Sequence, residues 1–108
     1  MALLCFDVDG TLDCGLGPIP TTALHELESR GHKVVIVSPS PLRPKGVPFP
    51  EFLSVDRKKN LLDARTAFPH TQVVYVSDNP GDDYLCTEVG FEYVDPMNWT
   101  RWVAKLTP

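Results

Sequence analysis

Residues 3–12 read Leu-Leu-Cys-Phe-Asp-Val-Asp-Gly-Thr-Leu, an apolar run that changes abruptly into two carboxylates followed by a glycine. An apolar run this short is typical of a strand buried on both faces of a parallel sheet. Because open α/β sheets bind ligands at the carboxyl ends of their strands, Asp7 and Asp9 are expected at a binding edge. The chain turns at Gly10, so both carboxylates can face one small volume, where they repel each other unless a cation lies between them. Taken alone, residues 7–10, Asp-Val-Asp-Gly, are also typical of a tight turn with solvated acids.

The rest of the chain alternates between strand and helix patterns. We predict strands over residues 2–7, 33–38, 52–55, 72–77 and 91–94, and helices over 21–30, 57–68, 82–89 and 98–106. This order predicts an α/β fold with a doubly wound, largely parallel sheet and helices on both faces. Five of the eleven prolines lie within residues 39–50, which excludes a helix there and predicts a loop. The 108 residues are expected to form a single domain, 1–108.

Other polar side chains follow the predicted strands or begin the predicted helices. Ser38 ends the second strand, and Asp78 follows the strand over 72–77. Basic residues begin the helix over 57–68, and one of them is expected on its inward face. We favour Lys58 for this position because it lies one turn before Leu61 and Leu62 on the apolar stripe. The alternatives are Lys59 and, more distantly, Lys45 in the proline-rich loop.

These residues, in this order, resemble the motifs of the haloacid dehalogenase superfamily of phosphatases and phosphotransferases, and the resemblance covers nearly the whole chain. The first motif is Asp-x-Asp-Gly-Thr, and the second is a hydroxyl residue that closes an apolar strand. The third is a lysine ahead of a crossover helix, and the fourth is an aspartate followed four residues later by another. In this chain the motifs fall on Asp7, Asp9 and Thr11, on Ser38, on Lys58 or Lys59, and on Asp78 and Asp82.

The resemblance implies a Rossmann-like core and a Mg²⁺-dependent phosphatase that acts through an aspartyl-phosphate. Asp7 would be the nucleophile, and Asp9 would protonate the leaving group and then accept a proton from water. The remaining roles it implies are phosphate binding by Ser38, Lys58 and Thr11, metal binding by Asp7, Asp9 and Asp78, and a supporting role for Asp82.

Two positions depart from the superfamily pattern. The residue after the second-motif hydroxyl usually lends its N–H to the phosphate, but here it is Pro39, which has no N–H. Ser77 stands where the fourth motif often has glycine. The alternative function is therefore a weakly active or inactive binding module of the same fold. A phospho-acceptor domain like a response regulator ranks lower, because its acceptor lies on a middle strand and its lysine follows the last one.

Superfamily members usually carry an inserted cap domain, but the corresponding gaps in this chain are short. Residues 13–20 form the first gap, and the proline-rich loop fills the second. The resemblance thus implies a capless protein with an open site. Such a layout goes with a phosphorylated macromolecule as substrate, or with a phosphorylated small molecule enclosed by a neighbouring subunit of a homo-oligomer.

Composition indicates a globular protein, with 43% hydrophobic residues, 22% charged residues and a formal net charge of −4. This charge gives no electrostatic footprint for nucleic acid. We expect neither a signal peptide nor a membrane span, because no apolar run approaches about 18 residues. Three cysteines without metal-ligand spacing favour a reducing cytoplasm. His25, His32 and His70 are isolated in the sequence and are expected at the surface.

Overall fold

Five parallel strands form one sheet in the computed structural model, which describes residues 2–38 and 48–106. The spatial order is β3-β2-β1-β4-β5, so β1 lies in the centre and the chain winds outward from it in both directions. This arrangement confirms the predicted doubly wound parallel sheet. The strands are β1 (Ala2–Phe6), β2 (Lys33–Ser38), β3 (Glu51–Leu53), β4 (Gln72–Val76) and β5 (Glu92–Val94).

Helices cover both faces of this sheet: α1 (Thr21–Ser29), α2 (Arg57–Ala67), α3 (Asp82–Val89) and α4 (Trp99–Val103). Successive side chains of a strand point to opposite faces, so β1 contributes to two separate cores. Leu4 and Phe6 pack in the cluster that holds the apolar residues of α1 and α4. Leu3 and Cys5 pack in the cluster of α2 and α3. The central strand is therefore apolar at every position because it has no solvent-facing side.

The predicted element boundaries differ from the structure mainly at the C-terminal end. The helix predicted over 98–106 is a five-residue α-helix that follows the short 3₁₀ turn Pro96–Asn98. Beyond it, Lys105 and Leu106 donate their N–H groups to the carbonyls three residues earlier, so the α-helical pattern tightens and stops. Residues 48–50 contain no helix, and the rest of the proline-rich loop, including Pro39 and Lys45, lies outside the described residues.

The expectation that His32 is exposed was wrong. Only 3% of His32 is exposed, and its Nδ1 accepts the backbone N–H of Ala2 at 3.1 Å. The ring thus satisfies an N–H at the start of the central strand. The three cysteines are free, with Cys5 and Cys86 buried and Cys14 exposed. Across the described part of the chain, no helix is long and apolar enough to span a membrane.

Candidate active site

The loop after β1 places Asp7 inside the protein and Asp9 at its surface. Asp7 continues the strand, since its N–H donates to the Val76 carbonyl at 3.0 Å, and only 4% of the residue is exposed. Its Oδ1 accepts the N–H of Val8 at 2.9 Å, which fixes the carboxylate. The chain then turns back, because the Thr11 N–H donates to the Val8 carbonyl at 3.1 Å. The two carboxylates of the first motif therefore have different environments, one buried and one solvated.

Asp78, at the end of β4, lies directly against this turn. Gly10 has a φ of +73°, and a Cβ built there would lie 1.9 Å from Asp78 Oδ2. The carboxylate thus occupies the space that any other side chain at position 10 would need. This contact joins the segments that follow two neighbouring strands, β1 and β4.

Replacing Gly10 by alanine is expected to lower the free energy of unfolding by at least about 2 kcal/mol, because it adds backbone strain and displaces Asp78. Urea unfolding of both proteins measures the change. Gly81→Ala is the matched control, because Gly81 has a φ of −64° and its new Cβ would lie 3.3 Å from Asn79 Oδ1. We expect the control to change stability by less than about 1 kcal/mol. Equal effects of the two variants would contradict the close contact.

The burial of Asp7 has an electrostatic cost. The pKa of the Asp7 carboxyl is raised to about 6, mainly by desolvation and to a smaller extent by the nearby charges of Asp78 and Asp9. The N–H of Val8 and the guanidinium of Arg57 oppose the increase. A buried carboxylate with two like-charged neighbours is a site where a cation is favourable.

Asp7 is expected to make the metal-free protein less stable as the pH rises from about 4 to about 6. Its folded pKa lies above its unfolded pKa, so in this range the folded protein binds a proton that the unfolded chain has released. Asp7→Asn is therefore expected to raise the free energy of unfolding at pH 7.5 by about 1 to 3 kcal/mol in EDTA. The gain should shrink toward zero near pH 4. Urea unfolding at both pH values tests this, and a gain that is equal at both would refute the burial argument.

Within the described ranges, 2–38 and 48–106, Arg57 is a cation that the structure brings to the acids. Its Nη1 donates to Asp82 Oδ1 at 2.8 Å, and its charge acts on Asp7. Asp82 is buried and is held from its other side by the Ser77 hydroxyl, which donates to Oδ2 at 2.6 Å. Ser77, which departs from the glycine of the motif, thus helps to fix the partner of Arg57. The Asp82 carboxylate thus orients the guanidinium of Arg57, while its supporting role in a reaction stays a prediction.

Lys58, the predicted third-motif residue, points away from the acids and toward α3. Its Nζ lies 2.5 Å from Glu88 Oε1, and 49% of its side chain is exposed. Lys59 pairs with Asp63 on the outer surface of α2. Position 57 holds the cation near the acids because the buried positions of α2 are 60, 61 and 64, which lie three, four and seven residues after Arg57. Leu62, which favoured Lys58 in the sequence, is only partly buried. Among the described residues, the structure thus brings Arg57, and not Lys58, close to the acids.

The two predicted hydroxyl ligands have different positions. Ser38 ends β2, where its carbonyl accepts the Ser54 N–H at 3.2 Å and the buried Asn60 amide at 3.3 Å. Asn60, which the sequence did not single out, also donates to the Ser54 carbonyl at 2.8 Å and so fixes this strand end. Thr11 is fully buried, and its hydroxyl has no hydrogen-bond partner among the described residues. The structure thus encloses Thr11 within the loop and does not present it to a ligand.

The acids lie at the carboxyl edge of the sheet, where β1 and β4 end. A cavity of about 400 Å³ lies at the opposite, amino edge, lined by Gln72, Glu92, Trp102, Lys105 and Leu106. Within residues 2–38 and 48–106, no three side chains of His, Cys, Asp or Glu are arranged as a metal-binding group. The candidate site therefore consists of two aspartates from neighbouring strands, a third at the turn, and one oriented guanidinium.

Comparison with known proteins gave no match to this chain among protein-family models, curated proteins or solved structures.

Proposed function

We propose that this chain is a capless, Mg²⁺-dependent phosphohydrolase of the haloacid dehalogenase type that splits phosphate monoesters through an aspartyl-phosphate. The observation that carries the proposal is the buried carboxylate of Asp7 at the centre of the sheet edge. Its pKa is raised to about 6 by burial, and it lies beside Asp78 and faces the charge of Arg57. An anionic nucleophile, a cation site and a positive group for phosphoryl oxygens are the parts that phosphoryl transfer requires.

The donor set fits Mg²⁺, which takes oxygen ligands, binds through one or two carboxylates and keeps several waters. The carboxylates of Asp7 and Asp78 and the backbone carbonyl of Asp9 would hold it. When bound, the ion offsets the repulsion between an anionic nucleophile and an anionic phosphoryl group. A site with two carboxylates is compatible with the lack of a group of three metal-binding side chains in the described residues.

The reaction proceeds in two steps. An Asp7 oxygen attacks phosphorus as the ester P–O bond breaks, and the carboxyl of Asp9 gives its proton to the leaving oxygen. Asp9 is exposed and so can reach a leaving group that departs toward solvent. It then accepts a proton from the water that attacks the aspartyl-phosphate, which releases phosphate and restores Asp7. Arg57, oriented by Asp82, offers two parallel N–H groups to the transferring oxygens.

Hydrolysis of a chromogenic aryl phosphate is expected to require Mg²⁺ and to stop in EDTA. Asp9→Asn should lower kcat by about 10² to 10⁴ because proton transfer is lost while the backbone carbonyl at position 9 remains. Asp63→Asn, which removes an exposed acid on α2, is the matched control and should keep the wild-type rate. Steady-state kinetics checks all three proteins, and full activity of Asp9→Asn would refute the acid-base role.

Phosphate binding with little or no turnover is the second candidate function. Pro39 follows Ser38 directly and cannot donate the backbone N–H that usually contacts the phosphate in the superfamily. This residue lies outside the described part of the chain. Mg²⁺-dependent binding of vanadate without hydrolysis of any ester would favour this second function over the first.

A further inference from the structure

Four large apolar side chains are almost fully exposed among residues 2–38 and 48–106, and all four lie at the carboxyl edge of the sheet. Their exposed fractions run from 83% to 97%. One follows β1, one follows β3, one lies in the first turn of α3 after β4, and one follows β5. A single exposed apolar side chain is ordinary, whereas four of them along the edge that carries the candidate site are placed to contact one bound partner. We call this group the apolar rim: Leu16, Val55, Tyr84 and Met97.

Leu16 is held outward by a tightly fixed loop. Its φ of +65° is a left-handed conformation, which costs a leucine about 1 kcal/mol. Gly10 donates its N–H to the Gly15 carbonyl at 2.8 Å, and Gly17 donates to the Leu12 carbonyl at 2.7 Å. Gly15 lies so close to the turn that a Cβ there would be 2.4 Å from the Val8 carbonyl oxygen. The loop thus accepts strain and close packing while it presents a fully exposed leucine next to the Asp9 turn.

The rim is wider than a small substrate. Val55 follows one outermost strand and Met97 follows the other, so four interstrand spacings separate the two strand ends. At about 4.8 Å each, these spacings add up to about 19 Å. An extended polypeptide rises about 3.3 Å per residue and needs about six residues to cross that distance. A chain of this length can contact both ends of the rim while one of its residues reaches Asp7.

The described charged side chains at this edge favour a polypeptide of one charge over the other. The described cations at the edge are already paired, Arg57 with Asp82, Lys58 with Glu88 and Lys59 with Asp63. The exposed acids at this edge, among the described residues, are Asp9, Asp13, Asp56, Asp78 and, in the first turn of α3, Asp83. They would repel an acidic segment, an anionic membrane and a nucleic acid, and they would attract a basic segment. Two copies of this chain that met edge to edge would bring these acids together, and the like charges would repel each other.

We propose that the apolar rim docks an extended, phosphorylated protein segment with apolar and basic residues on both sides of the phosphorylated one. The phosphate in this proposal rests on the proposed function, whereas the docking surface rests on the rim itself. Leu16, in the loop that follows the Asp9 turn, and Tyr84, in the first turn of α3, would provide apolar contacts to this segment. The acids supply long-range attraction to basic flanking residues.

Binding of peptides of about eight residues tests the proposal. Each peptide carries a non-hydrolysable phosphonate in place of the central phosphate, flanked either by Lys and Leu or by Glu and Ser. Fluorescence anisotropy in Mg²⁺ gives Kd for wild type, Leu16→Gly, Tyr84→Ser and the control Ala104→Ser, which changes an exposed apolar residue at the end of α4. Leu16→Gly removes the side chain and also relieves the left-handed strain, so this variant should fold at least as well as wild type.

We expect the basic, apolar peptide to bind at least about tenfold more tightly than the acidic one. Leu16→Gly and Tyr84→Ser should each raise its Kd by about five- to tenfold, and the control by less than about twofold. Unchanged Kd in both rim variants, or equal affinity for the two peptides, would overturn the proposal. Self-association of wild type that is lost in Leu16→Gly would assign the rim to a second copy and also overturn it. Rim-dependent binding without hydrolysis of any ester would support the rim and contradict the proposed phosphatase.

Discussion

Asp7→Asn is expected to lose phosphate-ester hydrolysis by about 10⁴-fold or more. The change removes the nucleophile and with it the covalent route, while asparagine keeps the size of the side chain and can still accept the Val8 N–H. The same variant should be more stable than wild type in EDTA at pH 7.5, since it removes a buried carboxylate. Loss of activity together with a gain in stability distinguishes a catalytic role from a failure to fold.

Steady-state hydrolysis of an aryl phosphate and urea unfolding of the same preparations measure the two effects. A folded Asp7→Asn that keeps more than a tenth of wild-type turnover, with the same Mg²⁺ dependence, would exclude Asp7 as the nucleophile. In that outcome the raised pKa of Asp7 would reflect burial alone. Asp63→Asn serves again as the control for the loss of one acid.

Arg57→Ala is expected to lower kcat/KM by about 10² to 10³, because one preorganised donor to a transition-state oxygen has about this effect. Lys58→Ala is the matched control from the next position of the same helix, and it should keep activity within about twofold. The contrast tests whether Arg57, whose charge acts on Asp7, binds the phosphoryl group, whereas Lys58 pairs with Glu88.

Arg57→Ala also leaves the buried carboxylate of Asp82 without its cation, which can destabilise the fold. Arg57→Lys keeps the charge but loses the planar pair of N–H donors, so we expect a folded protein with an intermediate loss of activity. Circular dichroism and thermal unfolding verify that each variant is folded. Full activity of a folded Arg57→Lys, together with a loss of activity in Lys58→Ala, would assign phosphate binding to Lys58.

The sheet could be predicted because buried parallel strands are continuous apolar runs, and residues 2–6 and 33–38 are clear examples. The positions of Asp7 and Asp78 followed from the same reasoning, since both lie just beyond strand ends. Arg57 was missed because Leu61 and Leu62 both appear apolar in the sequence, whereas only Leu61 is fully buried. The contact of His32 with Ala2 joins residues 30 apart along the chain, and no local pattern indicates it.

The central position of β1 also affects how the protein is made. Its register pairs Ala2 with Gln72 and Phe6 with Val76, so its second neighbour lies 70 residues further along the chain. At 5 to 20 residues per second, a ribosome needs roughly 4 to 14 s to supply that partner after it has made β1. During this interval the most apolar strand of the sheet has an open edge, which another nascent chain can pair with. Native contacts this distant in sequence also slow folding, so yield during synthesis depends on keeping β1 covered until β4 arrives.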